Sequence, residues 1–531
     1  MLSTVRSTRG MVTSPHRLAS EAGLRVLREG GGAIEATIAM GACLAVVYPH
    51  MTAIGGDGFW LISKDGAAPV AIDACGAAGG AAAETFYVSR GMLAVPQRGP
   101  FAANTVAGAV SGWGEALKLG GELGGRLPMS RLMEDAVFHA QNGFEVTTSQ
   151  EETTAAKATE LAAAPGFAPV YLAQGAAPAA GSHMRLPALA RTLKRIGDFG
   201  ARDFYDGALA RDIAADLARI GAPVGADDLA RHRAQRRTPL SVDVRGARLF
   251  NFPPPTQGLA SLMILALFDR LGVQAAETFD HVHGLVEAAK QAFLVRDAHI
   301  GDPASMTADP AEFLTPACLD ELAARIDRAR ALPWPQPASV GDTVWLGAID
   351  GNGVSVSYIQ SIYFEYGSGC VLEDTGIVWQ NRGASFAIGA TSIEARRLAP
   401  GRKPFHTLNP AMATFGDGRT MVYGTMGGEG QPQTQSALFS RYAMFGQDLQ
   451  AAITAPRWLL GKTWGEGSVS LKLESRFDPG LIDSLRVAGH DVELVQPYSS
   501  AMGHAGAVVR SADGVFEGAT DPRSDGAALG L

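Results

Sequence analysis

Cysteine is scarce in this chain. Four residues, Cys43, Cys75, Cys318 and Cys370, are spread over 531 positions without a CxxC pair, which rules out a disulfide scaffold and reads as buried or free thiols. Charge is thin as well: 18% of residues are charged, and 45 Lys plus Arg against 53 Asp plus Glu leave a net charge of -8. With no basic field to gather phosphates, nucleic acid is not expected as a partner. The longest apolar run, Ile38 to Tyr48, is too short to span a bilayer and suits a buried helix, so no membrane is expected either. Met1 to Ser20 carries Arg6, Arg9 and Arg17 but no continuous apolar stretch of the signal-peptide kind, which gives the cytoplasm as the expected location.

What is present is apolar mass and turn chemistry. Hydrophobic residues make up 47% of the chain, beside 64 Gly and 29 Pro, enough to exclude disorder and to imply short elements joined by tight turns. Ser14-Pro15 reads as a helix start, with Gly30-Gly31-Gly32 as its stop. A second, all-round apolar helix fits Ala33 to Val47, ending before Pro49. Phe59 to Ile62 and Val70 to Ile72 flank Asp65-Gly66 as a hairpin. The middle, Leu127 to Ala331, shows mostly helical spacing, notably over Leu209 to Ile220 and Leu259 to Leu271. A Pro-rich connector follows from Leu332 to Val340. From Asp342 onward the text turns β-rich, with a strong hairpin around Gly351-Asn352-Gly353. Its first strand is apolar at both parities (Val344 and Leu346; Trp345 and Ile349), so both faces should be buried. Further strands are expected at Ile377 to Trp379, Ala411 to Phe415, Thr420 to Tyr423 and Ala505 to Val509, with helices near Gln433 to Phe445 and Pro479 to Val487. Two packed sheets with helices outside accommodate this order.

Three stretches could carry chemistry. Thr343 opens the β-rich part. A Thr hydroxyl needs an adjacent base, and a Thr made N-terminal by a cut before it would use its own α-amine, with a pKa near 8. On its own, such a Thr is an ordinary strand residue. Gly424-Thr425-Met426-Gly427-Gly428 lies between a strand and a helix, where backbone N–H groups can face a developing oxyanion, or can simply make a tight turn. Pro404 to Pro410 brings His406 and Thr407 within reach of the same region.

The ordered set Asp342-Thr343, the DGNG hairpin, Tyr366-Gly367-Ser368-Gly369, Gln380-Asn381-Arg382-Gly383, Gly427-Gly428 and Gly518-Ala519-Thr520-Asp521-Pro522-Arg523 resembles the gamma-glutamyltranspeptidase family of N-terminal nucleophile hydrolases. Gly55-Gly56-Asp57-Gly58-Phe59, Pro253-Pro254-Pro255-Thr256-Gln257-Gly258 and Gly301-Asp302-Pro303 extend the resemblance through the first half. It implies an α/β, four-layer αββα sandwich and self-cleavage between Asp342 and Thr343. The products would be a large subunit, 1–342, and a small subunit, 343–531, forming one composite domain. By the same resemblance Thr343 is the nucleophile, Ser361 orients it, and Gly427 and Gly428 form the oxyanion hole. His406, Thr407, Tyr363 and Ser385 would line the substrate. No cofactor and no metal are implied. The partners are a small-molecule amide and the two subunits of one precursor, and a homo-oligomer of processed heterodimers is compatible with it.

The departures from the family pattern bear on substrate. After Ile72-Asp73 the chain has Ala74-Cys75-Gly76 where γ-glutamyl-binding relatives carry an Arg, and Gly383-Ala384-Ser385-Phe386 lacks the ammonium-binding carboxylate that they place shortly before a Phe. Each lost charge-assisted hydrogen bond is worth roughly 1.5 to 3 kcal/mol, which disfavours glutathione. Arg382 is new in the same stretch. It either pairs with a nearby carboxylate such as Asp374 or binds a planar substrate carboxylate. The second option, with Tyr48-Pro49-His50-Met51 and Ile72 to Gly76, looks like the branch of the family that converts oxamate to oxalate and ammonia. Residual γ-glutamyl hydrolase or transferase activity and a broader acylase stay open. A phosphate-cradling protein is the reading from another class, but no P-loop or dinucleotide fingerprint supports it. His281-x-His283 suggests a metal only superficially, since i and i+2 diverge on a helix.

Overall fold

The computed structural model describes residues 2–334, 342–390, 393–461 and 468–531. Two seven-stranded antiparallel sheets lie face to face. One runs, edge to edge, through Ala527–Gly530, Gly10–Ser14, Asp342–Asp350, Val354–Tyr363, Asp57–Lys64, Val70–Ala74 and Gln235–Arg237. The other runs through Val5–Ser7, Phe516–Thr520, Ala505–Arg510, Thr420–Thr425, Ala411–Phe415, Ala247–Asn251 and Leu240–Val244.

Strand parity explains the layering. Val344, Leu346 and Ala348 join a core shared with the helices Arg17–Arg28 and Ala33–Val47. Trp345 and Ile349, of opposite parity, join Phe59, Leu61, Met412, Val422 and Val508 between the sheets. A third core packs the second sheet on the helices Gly258–Arg270, Phe279–His299 and Gly430–Phe439. The order helix, sheet, sheet, helix is therefore the αββα sandwich expected from the sequence, and the central strands are apolar on both faces because both are covered.

The hairpin turn also fastens a helix. Asp350 Oδ1 accepts from the N–H groups of Asn352 and Val354, while its Oδ2 accepts from the Ala33 N–H at 2.8 Å. A carboxylate thus caps the positive end of the wholly buried Ala33–Val47 helix. That helix, the 342–363 hairpin, the Asp57–Lys64/Val70–Ala74 hairpin and the Pro479–Val487 helix fall where expected.

Some expectations fail. The first helix starts at Arg17 with His16 as its cap, because Ser14 is claimed by pairing with Ala527. Leu240–Val244 and Ala247–Asn251 form a hairpin inside the stretch read as mostly helical. Ile377 to Trp379 makes isolated bridges to Val371 and Gly55, not a strand. Of the connector, Leu332 to Trp334 is described and the rest lies outside the described residues. No helix among the described residues is long and apolar enough to cross a membrane, and all four cysteines are free thiols.

Candidate active site

Strand ends from both sheets meet at one end of the sandwich. The Asp342–Asp350 strand enters there through a bulge. Asp342 pairs with Tyr363 and Val344 with Gln360, leaving Thr343 opposite two residues, Ser361 and Ile362. Bulges re-aim a side chain out of the regular ladder. Ser361 shares parity with Ile359 and with Ser357, whose Oγ accepts from the Trp345 indole between the sheets. Ser361 Oγ accepts from the Tyr363 N–H at 2.8 Å. On its other side, Gly56 approaches so closely that a Cβ there would sit 2.1 Å from the Ser361 carbonyl oxygen. Only glycine permits that approach.

The facing sheet contributes the turn after Thr420–Thr425. Gly427 and Gly428 have φ of +117° and +51°, and both are buried. Among the described residues neither N–H donates to a protein acceptor, whereas the Gly428 carbonyl accepts from Gln257 Nε2 at 2.8 Å. The same Nε2 donates to the Thr407 carbonyl at 2.7 Å, and Gln257 Oε1 accepts from Arg296 at 2.9 Å. Gln431, in the first turn of the next helix, donates to Thr343 Oγ at 3.4 Å and accepts from the Asn409 N–H. Sequence reasoning missed Gln257 and Gln431 as site residues. The signal for the second was a helix whose Gln431, Gln433 and Gln435 are all buried, too polar for a core helix without a purpose.

Arg382 is 2% exposed. Its guanidinium lies 3.8 Å over the Tyr363 ring, donates to the Phe405 carbonyl from Nε and Nη2, and reaches Thr407 Oγ at 3.3 Å. Asp374 does not pair with it, being bound to Arg219 at 2.8 Å. Among the described residues no carboxylate lies within ion-pair distance of Arg382; burial pulls the Arg382 pKa down, against the longer-range support of Asp57. Tyr363 holds a positive φ of 81°, an unfavourable conformation for an aromatic residue of the kind that collects at functional sites. Ser385 donates to the carbonyls of Arg382 and Phe405, so its proton braces the arginine.

His406 is buried and turned toward Asp57 and Cys75, with Nε2 at 3.3 Å from Asp57 Oδ2 and 3.0 Å from Cys75 Sγ. Burial, with Arg382 and Lys403 nearby, lowers its pKa well below the usual value, so the ring is neutral. Burial pushes the Asp57 carboxyl up to about 7 despite the N–H groups of Gly76 and Gly108, and pushes the Cys75 thiol up too. Elsewhere His281 bonds Ser440 and His283 bonds His490, so the two diverge as helix geometry requires. Glu287 beside them is matched by Lys290 at 2.7 Å.

A paired-sheet sandwich whose central strand brings a Thr to one end, opposite a glycine turn with unengaged N–H groups, has the architecture of N-terminal nucleophile hydrolases, which cleave amides. The chain belongs to the gamma-glutamyltranspeptidase family, whose model matches residues 19–531. It is 54% identical over 99% of both chains to an oxamate amidohydrolase proenzyme of Klebsiella pneumoniae. It is 40% identical over the full length of both to the glutathione hydrolase-like YwrD proenzyme of Bacillus subtilis. The cephalosporin acylase of Bacillus halodurans superposes with a TM-score of 0.92 at 30% identity, covering 100% of this chain and 97% of that one. Relatives of this family are named hydrolases and acylases, and this chain is an amide hydrolase.

Proposed function

We propose that the chain is a self-processing amidohydrolase acting on a small carboxylated amide, with oxamate as substrate. In the precursor, Thr343 Oγ attacks the Asp342 carbonyl, the acyl group moves from N to O and so frees the Thr343 amine, and water hydrolyses the ester to release Oγ and leave Asp342 as a C-terminal carboxylate. That amine then takes the Oγ proton as Oγ attacks the substrate amide carbon. The oxyanion accepts from the Gly427 and Gly428 N–H groups, ammonia leaves with the transferred proton, and water releases oxalate from the ester. The carboxylate beside the scissile carbon pairs with Arg382.

The observation that carries this reading is Arg382: a buried guanidinium without a carboxylate partner among the described residues, seated between Tyr363 and Thr407. Leaving a buried cation unmatched costs stability, and a bound carboxylate offsets that cost. The kinship with an oxamate amidohydrolase proenzyme supports the same substrate. Its test is a comparison of ammonia release from oxamate with glutamate release from glutathione. Oxamate should turn over much faster; glutathione turning over as fast would overturn the assignment. Denaturing mass analysis should show fragments of about 36 and 20 kDa by length proportion, and a Thr343→Ala chain should stay whole.

A further inference from the structure

We propose that Asp57, Cys75 and His406 form a three-ligand site for a zinc-class divalent cation beside the Thr343 pocket. The three residues come from different parts of the chain: the start of Asp57–Lys64, the residue after Val70–Ala74, and the loop before Ala411–Phe415. All three are at most 1% exposed, and their donor atoms lie within 4.8 Å of one another.

The spacing suits a metal. With bonds of about 2.3 Å to sulfur and about 2.0 Å to nitrogen and oxygen, tetrahedral coordination needs about 3.5 Å between S and N and about 3.3 Å between N and O. The separations are 3.0 Å for Cys75 Sγ to His406 Nε2 and 3.3 Å for His406 Nε2 to Asp57 Oδ2. The nitrogen–oxygen separation already matches, the sulfur–nitrogen one needs to open by about half an ångström, and the third pair lies within 4.8 Å.

Hydrogen bonding serves the cluster less well. One nitrogen faces two partners: as N–H it satisfies only one of Oδ2 and Sγ at a time, and as a lone pair it accepts from the Cys75 thiol but opposes an ionised Asp57 carboxylate. Asp57 Oδ2 and His406 Nδ1 are both buried without a hydrogen bond of good geometry. Asp57 Oδ1, by contrast, accepts from the Gly76 and Gly108 N–H groups at 3.0 Å, which orients the carboxylate as an outer shell would.

Charge also closes. A thiolate and a carboxylate match a divalent ion, and Lys403 beside the cluster is already held by Asp73 at 2.6 Å. On binding, the Cys75 thiol proton leaves to solvent, and the His406 ring carries its N–H on Nδ1. Cys75 lines a surface pocket of about 510 Å³ with His232, Gln235 and Lys403, which supplies an entry path. Occupation would hold His406 rigid, and with it the adjoining Thr407 that touches Arg382.

The probe is cobalt(II) added to chelator-stripped, full-length protein. One equivalent should produce tetrahedral visible bands and a near-ultraviolet thiolate-to-cobalt band. Cys75→Ser should abolish the near-ultraviolet band, Asp57→Asn should weaken binding at least ten-fold, and Cys318→Ser should change neither. A band that survives Cys75→Ser, or no such band in the unaltered protein, overturns the site. X-ray absorption of the zinc-loaded unaltered protein needs no variant: one sulfur at about 2.3 Å is expected, and a shell without sulfur overturns it.

Discussion

Arg382 shows what one side chain can decide. Its Nε and Nη2 are spent on the Phe405 carbonyl, which fixes the plane of the fork over Tyr363 and leaves Nη1, shared with Thr407, on the free edge. Lysine keeps the charge but has neither the plane nor the extra donors. Arg382→Lys should therefore raise the KM for oxamate while leaving kcat less affected. One charge-assisted hydrogen bond, about 1.5 to 3 kcal/mol, sets the scale at about 10- to 150-fold in kcat/KM. Steady-state kinetics checks this, and an unchanged KM would remove Arg382 from the substrate site. Gln431 makes a second residue-scale prediction. Its amide donates to Thr343 Oγ, so Gln431→Leu should slow the disappearance of intact precursor, read by denaturing gels over time, as well as turnover.

Among elements, the strand pair that carries Thr343 and Ser361 depends on the close passage of Gly56. A methyl there would press on the Ser361 carbonyl at 2.1 Å. Overpacking of this kind costs about 1 to 3 kcal/mol. Gly56→Ala should lower the thermal midpoint and disturb Ser361 enough to reduce activity in the protein that still folds; an unaltered midpoint would show that the strands yield freely. This region was also the most legible part of the sequence. The 342–363 hairpin has β-branched strands and a DGNG turn, and local patterns of that kind fix local structure. Other elements depended on distant partners. Leu240–Val244 and Ala247–Asn251 are strands because Ala411–Phe415 pairs with the second of them, about 160 residues further on by sequence number. Ile377 to Trp379 has strand-like residues but finds no ladder, only bridges. Local residue patterns and then the family motifs brought Thr343, Gly427 and Gly428 to attention, and a departure from the family pattern brought Arg382. No local pattern announces that Cys75 meets His406 across 331 positions.

Across the whole molecule, the proposed cut at 342 would divide a chain whose two parts are interleaved. Asp342–Asp350 and Val354–Tyr363 lie between Gly10–Ser14 and Asp57–Lys64 in one sheet, and Ala411–Phe415 lies beside Ala247–Asn251 in the other. Separating the parts would break both ladders and open the cores on either side of and between the sheets, so the fragments should co-elute in native chromatography and part only in denaturant. The same extensive burial sets the response to acid. His281 and His504 are at most 4% exposed. Burial, reinforced for His281 by Arg441, lowers their pKa values to about 3 and about 4, against about 6.5 in an unfolded chain. Below pH 6.5 the unfolded state therefore binds protons that the native state refuses, and stability falls as pH drops toward those native values. Each histidine contributes at most about 2 kcal/mol between pH 7 and pH 5. The thermal midpoint should decline over that interval, and His281→Gln should make the decline shallower whatever it does to the midpoint at pH 7. An equally steep decline in the variant would show that His281 is protonated in the native protein, with its imidazolium accommodated beside Ser440.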